Sequence, residues 1–216
     1  MNTLDLCCGT KSFSKVADKY GYTTTTLDLL KKFQPTYCCD LLKWDYKQLP
    51  VGYFKIIWAS PPCTSFSTMG GGKHRLKVDM TPKTDTARLG DLYLKKVIEI
   101  IDYFKPSLYL IENPRALMRY SKYMIDFKPI INECSYCKYG FPYMKNTDIF
   151  SNKQLNLEKC FYKRKNVVNN CHHESIQGSH HNRVRSGVQR VSKEISYQVP
   201  SPLIEFILTQ FSFLLN

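Results

Sequence analysis

Short apolar runs and amphipathic stretches alternate along the first 150 or so positions of this chain. Asn2 to Cys8 reads as a strand, and Cys8-Gly9-Thr10 turns it directly into an amphipathic helix over Ser12 to Tyr20. Thr23 to Leu27 is a second, β-branched strand ending at Asp28, and Thr36 to Leu41 is a third that carries Asp40. The run beginning at Phe54 has the composition of a strand buried on both faces, and Pro61 and Pro62 stop it. Thr86 to Phe104 spaces Leu89, Leu92, Val97, Ile100, Ile101 and Phe104 as a helix that packs on the sheet and ends at Lys105-Pro106. Ser107 to Ile111 is the next buried strand, delivering Glu112 at its carboxyl end ahead of a helix over Arg115 to Tyr120. Pro129 to Tyr136 and Thr147 to Ser151 predict two further strands about a Tyr139-to-Pro142 corner, with antiparallel pairing to finish the sheet. Tyr197 to Pro202 leads into an apolar terminal helix from Leu203. Strands alternating with helices predict an α/β fold: a mostly parallel sheet with helices on both faces.

Composition divides this pattern. At 216 residues the chain is long enough for one sizeable core but not for a second large domain. Residues 1–151 form the expected core and 191–216 a helical segment that completes it. Between them, 152–190 is polar and basic, too poor in aliphatic residues for an ordinary core of its own. Lys and Arg number 31 against 18 acids, a formal charge of +13 that points to a polyanionic partner, because phosphate neutralisation supplies most non-specific nucleic-acid affinity. No run approaches the ~18 apolar residues of a membrane span and the amino terminus has no secretory pattern. A soluble, intracellular monomer without a membrane partner is expected. Nine cysteines then read as thiols, a nucleophile and candidate metal ligands rather than a disulfide framework.

Three places carry chemistry. At Gly9 the β-turn-α opening allows close backbone approach to a ligand and offers unpaired helix N–H groups, and Asp28 follows 19 residues later, near the spacing that puts an acid on a ribose hydroxyl. Cys63 is presented on a rigid turn beyond a strand's carboxyl end, where open α/β sheets keep their chemistry. Asp28 and Asp40, at strand ends on the same side, should converge with it on one crevice. The Gly70-to-Arg75 stretch reads as a basic loop able to close over substrate and touch phosphates, or as a disordered tip. Within 152–190, Cys160 and Cys171 are separated by ten residues, followed by His173 and His181. These four are candidate ligands for a structural zinc, the alternative being a solvated His-rich loop. Cys134 lies on a strand and Cys137 is assigned to the core.

Ser60-Pro-Pro-Cys63-Thr-Ser-Phe-Ser67 resembles the nucleophile motif of the C5-cytosine DNA methyltransferases, and Glu112-Asn-Pro114 resembles their second catalytic motif, in the same order. Asp5-Leu-Cys-Cys-Gly9 with Phe13-Ser14 is similar to the family's cofactor motif, which usually has an aromatic at Cys7 and glycines at Lys11-Ser12. The terminal helix resembles the last motif, which returns beside the first strand. The resemblance implies a Rossmann-like S-adenosylmethionine-dependent fold. It implies a cofactor site of Asp5, Cys7, Cys8, Gly9 and Phe13, with Asp28, Asp40, Pro61 and Val199, Asp40 taking the adenine amino group. Cys63 would attack cytosine C6 and Glu112 would protonate N3. Tyr143, Lys145 and Thr147 stand where the family has a glutamine and two arginines facing the base, and Lys145 is the candidate for contact with the pyrimidine oxygen. DNA is the implied substrate of a compact member with a reduced target-recognition region. An RNA-directed enzyme of the same chemistry and a silent nucleic-acid-binding relative are the alternatives.

Overall fold

The computed structural model describes residues 1–67, 71–76, 78–160, 195 and 197–212, with the backbone of two short paired strands at Ser175–Ile176 and Gln189–Arg190. Seven strands form the main sheet: β1 (Asn2–Leu6), β2 (Thr23–Asp28), β3 (Tyr37–Cys38), β4 (Ile56–Ala59), β5 (Leu108–Pro114), β6 (Ile130–Ser135) and β7 (Asn146–Ser151). Their order is β3-β2-β1-β4-β5-β7-β6, and only β7 runs against the others. The chain winds outward from β1 through β2 to β3, then returns to β4 on the other side of β1. That reversal opens a crevice at the carboxyl ends of β1 and β4, the usual ligand position in such sheets.

Alternation along the buried strands splits the core. Ile57 and Ala59 of β4 join Leu4, Leu6 and Ile111 under α3 (Asp85–Phe104), whereas Ile56 and Trp58 join Leu108 and Ile149 under α1 (Ser12–Lys19) and the terminal helix α5 (Ser201–Ser212). Thr84 caps α3 at its start, and Lys105, in the left-handed region at φ 48°, ends it before Pro106. Two smaller helices, α2 (Gly71–His74) and α4 (Lys122–Phe127), sit in the connections. Residues 153–160 run along the outer side of β6: the Asn132 Oδ1 accepts from the Leu155 amide at 2.7 Å, and the Ser135 amide donates to the Glu158 carbonyl at 3.0 Å. The edge strand is thereby covered.

Several expectations shift. The third strand holds only two residues, and Asp40 instead caps a turn of 3-10 helix over Leu41–Lys43, accepting from the Leu42 amide. Met118–Tyr120 is a 3-10 turn rather than part of a helix from Arg115. On α3 the buried stripe runs Ala87, Gly90, Asp91, Leu94, Val97, Ile101, Phe104, leaving Leu89 and Leu92 exposed. The reason is steric: a Cβ at Gly90 would lie 2.6 Å from Ser65 Oγ, so this face is packed tight on the Cys63 loop. Arg75, expected to meet phosphates, is 2% exposed and turned inward. Among the described residues no helix is long and apolar enough to cross a membrane.

Candidate active site

A cavity of about 550 Å³ opens at the carboxyl ends of the parallel strands. One end is built by the two turns that follow β1 and β2. Cys7, Gly9 and Lys11 all have positive φ (55°, 46° and 58°), so the chain doubles back sharply before α1 begins. Asp28 ties the turns together: its Oδ2 accepts from the Gly9 amide at 2.9 Å and its Oδ1 from the Leu30 amide at 2.8 Å. Asp5, fully buried, accepts from the Ser14 hydroxyl and amide at the start of α1. Phe13 stacks on Trp58 at 5.4 Å between centroids, and the Val199 amide donates to Ser12 Oγ at 3.2 Å, bringing the segment before α5 to the rim. Asp5, Cys7, Cys8 and Gly9 line this end, as do Phe13, Asp28, Pro61 and Val199. Asp40 is absent from the lining; it sits behind it, hydrogen-bonded to Tyr93, which does face the cavity. Lys11 is held against the Gln34 carbonyl.

The other end holds Cys63, Glu112 and Lys145, brought together by topology. Cys63 follows β4. Glu112 lies within β5, two residues before its end and paired with Ile149 of β7, not beyond the strand as the sequence pattern implied. Lys145 immediately precedes the antiparallel β7, so it enters at the edge where the parallel strands finish. The Cys63 turn is fixed from three sides. The Cys63 carbonyl accepts from the Phe66 and Ser67 amides at 2.9 and 2.8 Å. Asn113 Nδ2 donates to the Pro61 carbonyl at 3.1 Å, locking the turn to the strand that carries Glu112. From behind, the Arg75 guanidinium donates to the Ser65 carbonyl and hydroxyl at 3.0 and 3.1 Å, stacks on Phe66 at 4.1 Å, and pairs with Asp91 of α3 at 2.7 Å.

Residues 1–154 match the family model for C-5 cytosine-specific DNA methylases. The chain belongs to this family. It is 33% identical over 160 residues, 70% of each chain, to a protein of Frog virus 3 (isolate Goorha) described as a probable DNA (cytosine-5)-methyltransferase. Among solved structures it resembles a prophage-encoded E. coli protein described as a DNA modification methyltransferase, with TM-score 0.50 and 16% identity over 70% of this chain and 46% of that one. The S. pombe Dnmt2 methyltransferase aligns with TM-score 0.49 and 12% identity over 73% of this chain and 52% of its own. The chain spans about half the length of these two solved proteins. The first likeness bears on the fold, which is that of the Rossmann-like methyltransferases.

Electrostatics in this cavity follow burial. Desolvation pushes the Asp5 carboxyl up to about 7, against the Ser14 hydrogen bonds that lower it. The Cys8 thiol is pushed up to about 12 and the Cys7 thiol is also raised, both chiefly by burial, with the neighbouring carboxylates adding to it. The half-buried Cys63 thiol is raised by burial first and by Glu112 second, while Lys145 pulls it back down. Glu112 Oε1 accepts from the Tyr136 hydroxyl at 2.8 Å and has the Lys145 ammonium 3.5 Å away. Tyr143 is 1% exposed, burial first and Glu112 second raise its phenol to about 12, and its hydroxyl finds no hydrogen-bond partner among the described residues.

Two residues escaped the sequence reading. Tyr136 sits opposite Lys145, its amide donating to the Lys145 carbonyl at 3.0 Å, a pairing that follows once the β6–β7 register of Ser135 with Asn146 is known. Arg75 reads as a surface charge in the sequence because nothing local shows that Asp91, a helical turn and a half into α3, would meet it. Of the zinc candidates, Cys160 is buried against β6 with its amide donating to Ser135 Oγ at 2.9 Å. Cys171, His173 and His181 lie outside the described residues, and among those described no group of three potential metal ligands occurs.

Proposed function

We propose that the protein transfers a methyl group from S-adenosylmethionine to C5 of cytosine in DNA through a covalent Cys63 adduct. One observation carries this: a single cavity has the Gly9–Asp28 turns at one end and Cys63, Glu112 and Lys145 at the other. The residues of the first end suit the cofactor. Phe13 and Trp58 supply an apolar wall, Asp5 and Asp28 supply carboxylates suited to hydroxyls and cationic groups, and Gly9, which has no Cβ, lets a ligand approach the backbone at that point of the turn. When bound, S-adenosylmethionine supplies an electrophilic methyl group.

Cytosine C5 is a weak nucleophile, and the chain's own residues raise its electron density. The Cys63 thiolate bonds to C6 while Glu112 places a proton on N3, which leaves an enamine whose C5 takes the methyl group. Loss of the C5 proton to a base then expels Cys63 as the S–C6 bond breaks. Lys145, 3.5 Å from Glu112, would contact the pyrimidine O2 in this reading, and its charge favours the thiolate. The target base has to leave its stack to reach a cavity walled by strand ends, at a cost of a few kcal/mol in duplex. The +13 charge supplies affinity for phosphate rather than for sequence.

The test is methyl transfer from labelled S-adenosylmethionine to DNA and RNA in parallel, with a 5-fluorocytosine oligonucleotide to trap the adduct. DNA labelling, together with an adduct that vanishes in Cys63→Ala, is the expected result. Labelling of RNA alone would overturn the substrate, and an undiminished adduct in Cys63→Ala would overturn the nucleophile.

A further inference from the structure

The contacts of Glu112 reach beyond the residues that the motifs mark. Tyr136 is fully buried at the end of β6, and its hydroxyl lies 2.8 Å from Glu112 Oε1. This is hydrogen-bond length, whereas Lys145, at 3.5 Å from the same oxygen, is at ion-pair distance only. The Lys145 ammonium also lies 4.7 Å over the Tyr136 ring, so the phenol is clamped between the strand and the cation. The Thr147 side chain hydrogen-bonds to the same phenol, and burial beside Glu112 raises the phenol well above its ordinary range. Tyr136 therefore stays neutral and keeps one proton to donate. That proton goes to Glu112 Oε1, the acceptor 2.8 Å away.

Resting on the methyltransfer reading above, we propose that Tyr136 is a positioning residue for Glu112. Its hydroxyl occupies Oε1 as donor, so that the proton Glu112 gives to cytosine N3 is carried on Oε2. A carboxyl group has two equivalent oxygens, and a general acid works only if its proton is on the one that faces the base. The Tyr136 hydroxyl donating to Oε1, with the Lys145 charge on the same side, removes that ambiguity. Without the hydroxyl, Glu112 is free to rotate and to place its proton on the wrong side, and misplacement of a reacting group by about 1 Å can reduce a rate by about 100-fold.

Tyr136→Phe removes the hydroxyl and keeps the ring that packs against Phe141 and Lys145. Three readouts test the proposal on the full chain: kcat for DNA methylation, KM for DNA and for S-adenosylmethionine, and release of tritium from 5-tritiated cytosine without cofactor, which reports attack by Cys63 alone. The expected result is a fall of about 10- to 100-fold in kcat and in tritium release, with both KM values within about two-fold. Tyr46→Phe is the control, since it also removes a buried tyrosine hydroxyl from a glutamate, Glu99, but outside the cavity; its rates should match the wild type. Wild-type rates in Tyr136→Phe would overturn the proposal and leave the methyltransferase reading intact. So would a loss that appears in KM alone, or one that Tyr46→Phe reproduces. A wild-type protein that neither methylates nor releases tritium would overturn the reading and the proposal together.

Discussion

Replacing Arg75 with methionine tests how the Cys63 turn is held. The guanidinium is 2% exposed and gathers five partners: the carbonyls of Ser65, Met80 and Ala87, the Ser65 hydroxyl and the Asp91 carboxylate. Methionine fills similar volume but donates nothing, so Asp91, whose side chain is 12% exposed, is left as a nearly buried charge without its counter-ion. Breaking a buried pair from one side typically costs about 3–5 kcal/mol, a large part of the roughly 5–15 kcal/mol that stabilises a domain. Urea unfolding of Arg75→Met should show a loss of this size with little change in slope. The second change separates stability from chemistry. Adding Asp91→Leu removes the stranded charge, and apolar replacement of a buried pair is often neutral, so stability should largely return. The Ser65 carbonyl still lacks its donor two residues from Cys63, so the rate of adduct formation should stay well below wild type. A loss under about 1 kcal/mol in Arg75→Met would refute the energetic reasoning. Full recovery of adduct rate in the double variant would refute the claim that the guanidinium positions the turn.

Gly90→Ala should destabilise by about 1–3 kcal/mol and slow adduct formation, because the new Cβ meets Ser65 Oγ at 2.6 Å; melting and trapping with 5-fluorocytosine DNA would show it. Asp28→Ala should weaken S-adenosylmethionine binding by about ten-fold or more in calorimetry, since the carboxylate that joins the Gly9 and Leu30 amides is lost. Asp5 is raised from 3.8 to about 7 in the folded chain, so between these values the native state holds a proton that the unfolded chain has released. Its contribution therefore makes the apo protein more stable as pH falls from about 7 toward 4, and Asp5→Asn should flatten that slope in denaturant titrations. The raised Cys63 thiol predicts adduct formation that keeps accelerating with pH above neutrality, as the thiolate fraction grows.

What was legible in the sequence was whatever local pattern decides. The strands from Asn2, Thr23 and Phe54 announce themselves by composition, and parallel winding then obliges Gly9, Asp28 and Cys63 to share one edge of the sheet. Short-range signals failed where packing overrides them. Leu89 and Leu92 look like core, but Leu92 and Val97 are five apart, a gap that a helical stripe does not sustain. The glycine and aspartate between Leu89 and Leu92, Gly90 and Asp91, are the residues that face inward. Gly90 is there because a larger residue would strike the Cys63 turn, and Asp91 because Arg75 is opposite. Asp40 likewise reads as a strand-end acid, yet its carboxylate is consumed in capping the next turn and in meeting Tyr93, which leaves Tyr93 at the cavity face.

The strand that the proposed function sets against the base shows how a departure from the family pattern can be compensated in three dimensions. An arginine offers five donors in a rigid fork, able to hold two acceptors at once, whereas a lysine is a compact charge on a flexible stem. Lys145 alone would be a poor replacement in the task of fixing a carboxylate. Tyr136 relieves it of that task by making the short contact to Glu112 Oε1 from the neighbouring strand, and Thr147, small and fully buried where the pattern has a second arginine, leaves room for the phenol and hydrogen-bonds to it. The substitutions at Lys145 and Thr147 and the tyrosine at the end of β6 thus form one coherent set. Thr147→Arg with Tyr136 kept would drive a guanidinium into a position that is 0% exposed and against the Tyr136 phenol, so that change should destabilise the fold rather than improve catalysis.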